Sequence, residues 1–270
     1  ERLRAAIAAA LGAARDGSAY AVLVDLLDDP SVAVRLFAVQ ALGDLGRTEA
    51  AGPLTEFALA IDRRIANLSE PELLADVYEA SAEIGLETAA LRVLTALDPV
   101  TATPALVQAA RARPLARDSA AGLRLAQAIF ERRRIALYGL GYTGAAEAFT
   151  VVRGDDGLGD PDPRLRAVAV RSLGVLGMAG AVDLAVARLR DPSAEVRWTA
   201  ASVLGRLADR AAVAPLSAAL GDPVAEVRRQ AALGLGYLGD ERARAALEAA
   251  AAGDADDAVR AAAAYALTLL

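Results

Sequence analysis

Along most of this chain apolar residues recur every three or four positions, the period of a helix buried on one side. In AEVRWTAASVLGRL (residues 194–207), Val196, Ala200, Val203 and Leu204 share one face, and charged and aromatic residues occupy the other. No segment alternates with a period of two for long enough to predict a strand. The helical stretches are short and are broken at regular places by Asp-Pro and Leu-Gly pairs. The pattern predicts an all-α chain of many short helices.

The breaks repeat. Arg35, Arg166, Arg197, Arg228 and Arg260 each follow an aspartate by six residues, namely Asp29, Asp160, Asp191, Asp222 and Asp254. Proline follows the first four of these aspartates. Leu-Gly comes seven and eight residues after Arg35, Arg166, Arg197 and Arg228, and Arg4 and Arg133 share that second half. The last four arginines are spaced by 31, 31 and 32 residues. Asp offers an acceptor to free amides at a helix start, and Pro costs nothing there. The Leu-Gly-x-Leu-Gly ending supplies a small residue for close helix approach and a left-handed cap. A further helix, such as RAAVAPLSAAL, runs back before the next Asp-Pro, so each unit is a helix pair. Two antiparallel helices of this size bury no core alone and are stable only when stacked. The repeated Asp and Arg are expected to pair within and between units as a structural ladder.

Asp-Pro-x-x-x-Val-Arg-x-x-Ala-x-x-x-Leu-Gly resembles the short bacterial HEAT repeats of the phycobilisome-lyase type, over residues 1–48 and 130–270. The resemblance implies a right-handed α-solenoid, one domain over 1–270, with the second helix of each pair lining a concave face. Arg4 already belongs to a second helix, so a partner helix is expected upstream of residue 1. Between about 50 and 130 the pattern fails. Residues 69–85 read as one longer second helix with Val77 at the arginine position. Residues 98–119 carry three prolines and read as an insertion rather than a regular repeat.

Composition narrows the chemistry. Just over half of the 270 residues are apolar, but alanine dominates, with four Phe and one Trp. Such a core is thin and suits closely packed short helices. Cysteine and histidine are absent, which removes disulfides, thiolate nucleophiles, imidazole bases and His-ligated metals. The HEAT-type di-iron hydroxylases need His-Glu motifs, so that activity is excluded. All 29 basic residues are arginine, a usage typical of GC-rich bacterial genomes, and the net charge is −6. An acidic chain disfavours a whole-surface grip on nucleic acid or anionic membrane. No apolar run is long enough to span a membrane, and a cytoplasmic location is expected. No catalytic set, metal site or cofactor is predicted. The acidic loop GDDGLGDPD (154–162) lacks the spacing of a calcium loop.

Candidate binding residues come from the solvent-facing columns of the second helices, one, five and nine positions after the repeated arginine. These columns hold Arg134, Tyr138, Tyr142, Arg171, Trp198, Arg206, Arg229, Tyr237 and Tyr265. Tyr, Trp and Arg dominate interface hot spots because each joins a large rigid surface to a polar handle. A second candidate is the run from Arg111 to Arg134, where seven arginines face two acids. The leading expectation is a non-catalytic scaffold or adaptor holding a protein or peptide on the concave face. The alternatives are a tetrapyrrole lyase or chaperone-type subunit, with Arg pairing propionates, and nucleic-acid binding through 111–134. HEAT-like alkylpurine DNA glycosylases use such a groove, and a steep salt dependence of DNA affinity would be the signature. No small-molecule ligand is specified.

Overall fold

A computed structural model describes residues 1–111 and 119–270, and the described residues form helices and turns with no strand. The chain is an all-α repeat solenoid of stacked helix pairs, divided into two compact units, Glu1–Ala148 and Phe149–Leu270.

The first unit contains α1 (Arg2–Ala14), α2 (Tyr20–Asp25), α3 (Val32–Leu45), α4 (Ala51–Ala66), α5 (Glu70–Ala75), α6 (Val77–Leu97), α7 (Thr103–Ala110) and α8 (Ala120–Leu140). Helices α1, α3, α6 and α8 pack side by side as one layer, and α2, α4 and α7 back them as a second. After α9 (Ala146–Arg153), the second unit repeats the scheme. Its inner layer is α10 (Pro163–Leu176), α12 (Ala194–Leu207), α14 (Ala225–Leu238) and α16 (Asp257–Leu267). Behind it lie α11 (Ala181–Arg188), α13 (Val213–Ala219) and α15 (Arg244–Gly253).

The repeated residues divide their labour differently from the sequence expectation. Asp191 does not cap α12. Its Oδ1 accepts the amide of Ser193 at 2.9 Å, closing a turn, and Ser193 occupies the N-cap position. Pro192 therefore lies outside the helix, between the turn residue and the cap. Arg197 fastens two turns at once. Its Nη1 donates to the backbone oxygens of Asp191 and Pro192, while Nε and Nη2 grip the Asp222 carboxylate at 2.7 and 3.0 Å. Arg166 treats Asp160 and Asp191 in the same way, and Arg228 treats Asp222 and Asp254. Arg4 grips Asp29, and Arg260 donates to the Asp254 oxygen and pairs with Asp257. Bidentate guanidinium–carboxylate pairs are the strong kind. Hydrogen bonds from Arg4 and Arg228 hold Asp29 and Asp254 below the usual carboxylate range.

At the other end of α3, α10, α12 and α14, the Leu-Gly-x-Leu-Gly or Leu-Gly-x-Leu-Ala ending does the two jobs expected of it. The second glycine takes the left-handed conformation at Gly46, Gly177 and Gly239 (φ 66, 56 and 59°), and Ala208 adopts it at φ 54° in the unit where alanine replaces glycine. The first glycine allows contact between backbones: a Cβ on Gly205 would lie 2.6 Å from the Cα of Gly234. Gly205→Val is expected to push α12 from α14 and cost about 1–3 kcal/mol, read as a lower thermal midpoint by circular dichroism. An unchanged midpoint would show that the helices do not meet there.

The middle of the first unit differs from its sequence reading. Residues 69–85 are two helices, broken at Asp76 (φ −129°, ψ 69°), whose side chain caps α6 through the Glu79 amide. The position equivalent to the repeated arginine in α6 is Glu87, not Val77. A Cβ on Gly43, eight after Arg35, would touch Val93, just as Gly205 meets Gly234, and Val93 follows Glu87 by six. The ladder crosses this region by substitution. Arg35 donates to the Asp29 oxygen at 2.8 Å as its counterparts do, but its carboxylate partner is Glu83 of α6. Pro104 falls in the first turn of α7, where proline is tolerated, and α7 packs against α8 as an ordinary backing helix.

Candidate functional site

With Glu87 fixing the register of α6, the five- and nine-residue columns of the first unit read Gln40 and Asp44 on α3, Arg92 and Ala96 on α6, and Tyr138 and Tyr142 on α8. All six are exposed. A cavity of about 320 Å³ is lined by Arg92, Thr95, Ala96, Ile135, Tyr138 and Tyr142. A neighbouring one of about 340 Å³ shares Arg92 and Ala96 and adds Gln40, Asp44 and Val93. The two adjoin at Arg92 and Ala96, and their linings together form a grooved surface across three helices. Tyr138 and Tyr142 form its rigid end: their hydroxyls hydrogen bond at 2.8 Å and their rings sit 5.0 Å apart, tilted by 55°.

Columns counted from the repeated arginine omit Arg92, because α6 carries Glu87 at that position. Leu94 and Leu97, spaced like Leu42 and Leu45 of α3, carried the signal for the correct register. Arg92 also differs from its neighbours electrostatically. Arg134 is neutralised by Glu131 at 2.8 Å and Arg229 by Glu226 at 2.7 Å. Arg92 has no hydrogen bond or ion pair among the described residues.

In the second unit, Arg171 lies 5.7 Å from the centroid of the half-buried Trp198 ring and 3.9 Å from Glu195. Tyr237, Tyr265 and Arg206 are exposed. The first column turns largely inward: Ala167 is buried, and Arg134, Trp198 and Arg229 are half-buried. The columns that face solvent are the second and third.

The arginine run from 111 to 134 does not present its described members as one patch. Arg132 and Arg133 are 3% and 8% exposed. Arg132 donates to Asp62 at 3.0 Å and Glu87 at 3.4 Å, and Arg133 donates to the Ala110 oxygen. Arg124 stacks over Tyr78 at 4.5 Å. Arg113 and Arg117 lie outside the described residues. Sequence reasoning missed the buried Asp62–Glu87–Arg132 cluster, which joins α4, α6 and α8. Burial is the largest influence on Glu87 and pushes its carboxyl up to about 7; Arg132 opposes this and Asp62 adds to it.

In the 154–162 loop, Asp160 is buried and its carboxylate accepts the Asp162 amide at 2.7 Å. Among the described residues no three Asp or Glu gather to hold a metal ion, and no helix is long and apolar enough to cross a membrane.

No curated protein matches the sequence. Among solved structures, a Kap121p mutant aligns with 93% of this chain and 33% of its own at 12% identity, with a TM-score of 0.51, a likeness of fold. The complex of CpcE and CpcF of phycocyanin lyase from Nostoc sp. PCC7120 aligns with 100% of this chain and 90% of its own at 20% identity and a TM-score of 0.41. Human deoxyhypusine hydroxylase aligns with 87% and 79% at 22% identity and a TM-score of 0.39. The model of HEAT repeats matches residues 1–70 and 182–268. That is more than half of the sequence, and the chain belongs to the HEAT-repeat family.

Proposed function

We propose that the protein is a non-catalytic interaction scaffold that holds a peptide segment of a partner protein on the exposed face of its inner helices. The observation that carries this reading is the groove of the first unit, where two interlocked tyrosines and an arginine with no ion pair among the described residues meet over an apolar floor. Aromatic rings fixed in place offer contact area at little entropic cost, and an unneutralised guanidinium adds directionality. Trp198 and Arg171 in the second unit are a further contact area of the same type.

The test is capture from source-cell lysate with wild type, Tyr138→Ala/Tyr142→Ala and Trp198→Ala/Arg171→Ala. Exposed hot-spot aromatics are worth about 2 kcal/mol or more each. A partner held through the groove should therefore lose at least 30-fold in affinity with the tyrosine variant, at unchanged helicity. Loss only with the second variant would move the site to the second unit. Partners that survive both variants would overturn the reading.

A further inference from the structure

We infer that the groove across α3, α6 and α8 reads an extended segment with a basic, an acidic and an apolar side chain in that order, roughly three residues apart. This rests on the peptide-binding reading above and specifies its ligand. The groove is chemically polarised. Asp44 and Gln40 stand at the α3 end, Arg92 in the middle on α6, and Ala96, Ile135 and the tyrosine pair at the α8 end.

Asp44 and Arg92 sit on adjacent packed helices, yet they form no ion pair with each other or with any other described residue. Each exposes its charge to a ligand instead of cancelling it, unlike the neutralised Arg134 and Arg229 of the same layer. A ligand with uniform charge would gain at one of these residues and lose at the other. A ligand with alternating charge gains at both. Arg92 offers the planar fork that suits a carboxylate. The α8 end presents ring surface and aliphatic carbon, which an apolar side chain covers.

Spacing follows from geometry. Packed helices lie about 8–10 Å apart, and a chain extended as polyproline II advances about 3.1 Å per residue with three residues per turn, so every third side chain faces the same way. One ligand residue in roughly every three therefore faces a new helix. The order basic, acidic, apolar follows α3, α6 and α8, in either chain direction.

The experiment is selection from a displayed library of random dodecapeptides whose C-termini are joined to the display linker, so that side chains supply any carboxylate. Targets are wild type, Arg92→Glu, the swap Asp44→Arg/Arg92→Asp, and Tyr138→Ala/Tyr142→Ala. All four positions are exposed, and circular dichroism checks the fold of each variant. Wild type should enrich the three-residue grammar, with affinities falling at least tenfold in Arg92→Glu. The swap should recover peptides with an acidic residue at the first position and a basic one at the second. Peptides that depend on the tyrosines but show no charge order would overturn the inference and leave the peptide-binding reading standing. An empty selection, or peptides that bind the tyrosine variant equally, would overturn both.

Discussion

Arg132→Leu is expected to lower the unfolding free energy by about 3–5 kcal/mol, the usual cost of stripping a buried ion cluster of one partner. Arg132 is 3% exposed and faces Asp62 and Glu87, themselves 7% and 1% exposed. Leucine fits the space but leaves Asp62 and Glu87 buried without a cation, and Glu87 can escape its charge only by holding a proton. The cluster already holds more than it satisfies, since the Arg132 Nε is buried without a hydrogen bond. Urea denaturation followed by circular dichroism reads the loss. The triple variant Arg132→Leu/Asp62→Asn/Glu87→Gln removes both orphaned acids and should regain most of the stability. A single variant that costs less than about 1 kcal/mol would show that water reaches the cluster.

The same cluster should make stability fall as pH rises from about 5 to 8. Burial raises the Glu87 carboxyl to about 7 from an ordinary value of 4.5. The folded chain then holds a proton that the unfolded chain releases. Its contribution is complete below pH 4.5 and is lost as pH climbs through 7, about 3 kcal/mol in all. The ladder acids Asp29 and Asp254 act in the opposite sense, because they are held below their ordinary range and lose stability only in acid. The two windows do not overlap. Glu87→Gln should flatten the thermal midpoint between pH 5 and 8 and exceed wild type at pH 8. A wild-type midpoint that is level or rising over that range, with the variant tracking it, would remove Glu87 as the source.

The parts of the fold that were legible in the sequence are those whose residues work locally. Asp191, Arg197, Leu204 and Gly205 act within one turn, one helix and its immediate neighbour, so their spacing survives from copy to copy. Around α4 to α6 the same tasks are done by other residues. Helix α4 runs 16 residues, α5 intervenes, and the acid that receives Arg35 comes from Glu83, 48 positions on, where Arg166 reaches 25 positions to Asp191. A period cannot be read where the partner has moved to a different helix. Arg92 was lost with the register. The Asp62–Glu87–Arg132 cluster carries no local signal, because its members are far apart in the chain and only packing assembles them. Tyr138 and Tyr142 were legible as a pair because four residues make one helical turn.

The ends of the inner helices are joined in unlike ways, and the difference is mechanical. At the start of α12, Arg197 holds the next turn with two directed bonds that resist sliding. Near its end, Gly205 meets Gly234 with no interlocking side chain between them. The start of the α12–α14 step is pinned and its end is smooth. Thermal motion should therefore open and shut α12 against α14 like two ribs of a fan, pivoting on Arg197 and widest at the third column, where Arg206 and Tyr237 stand.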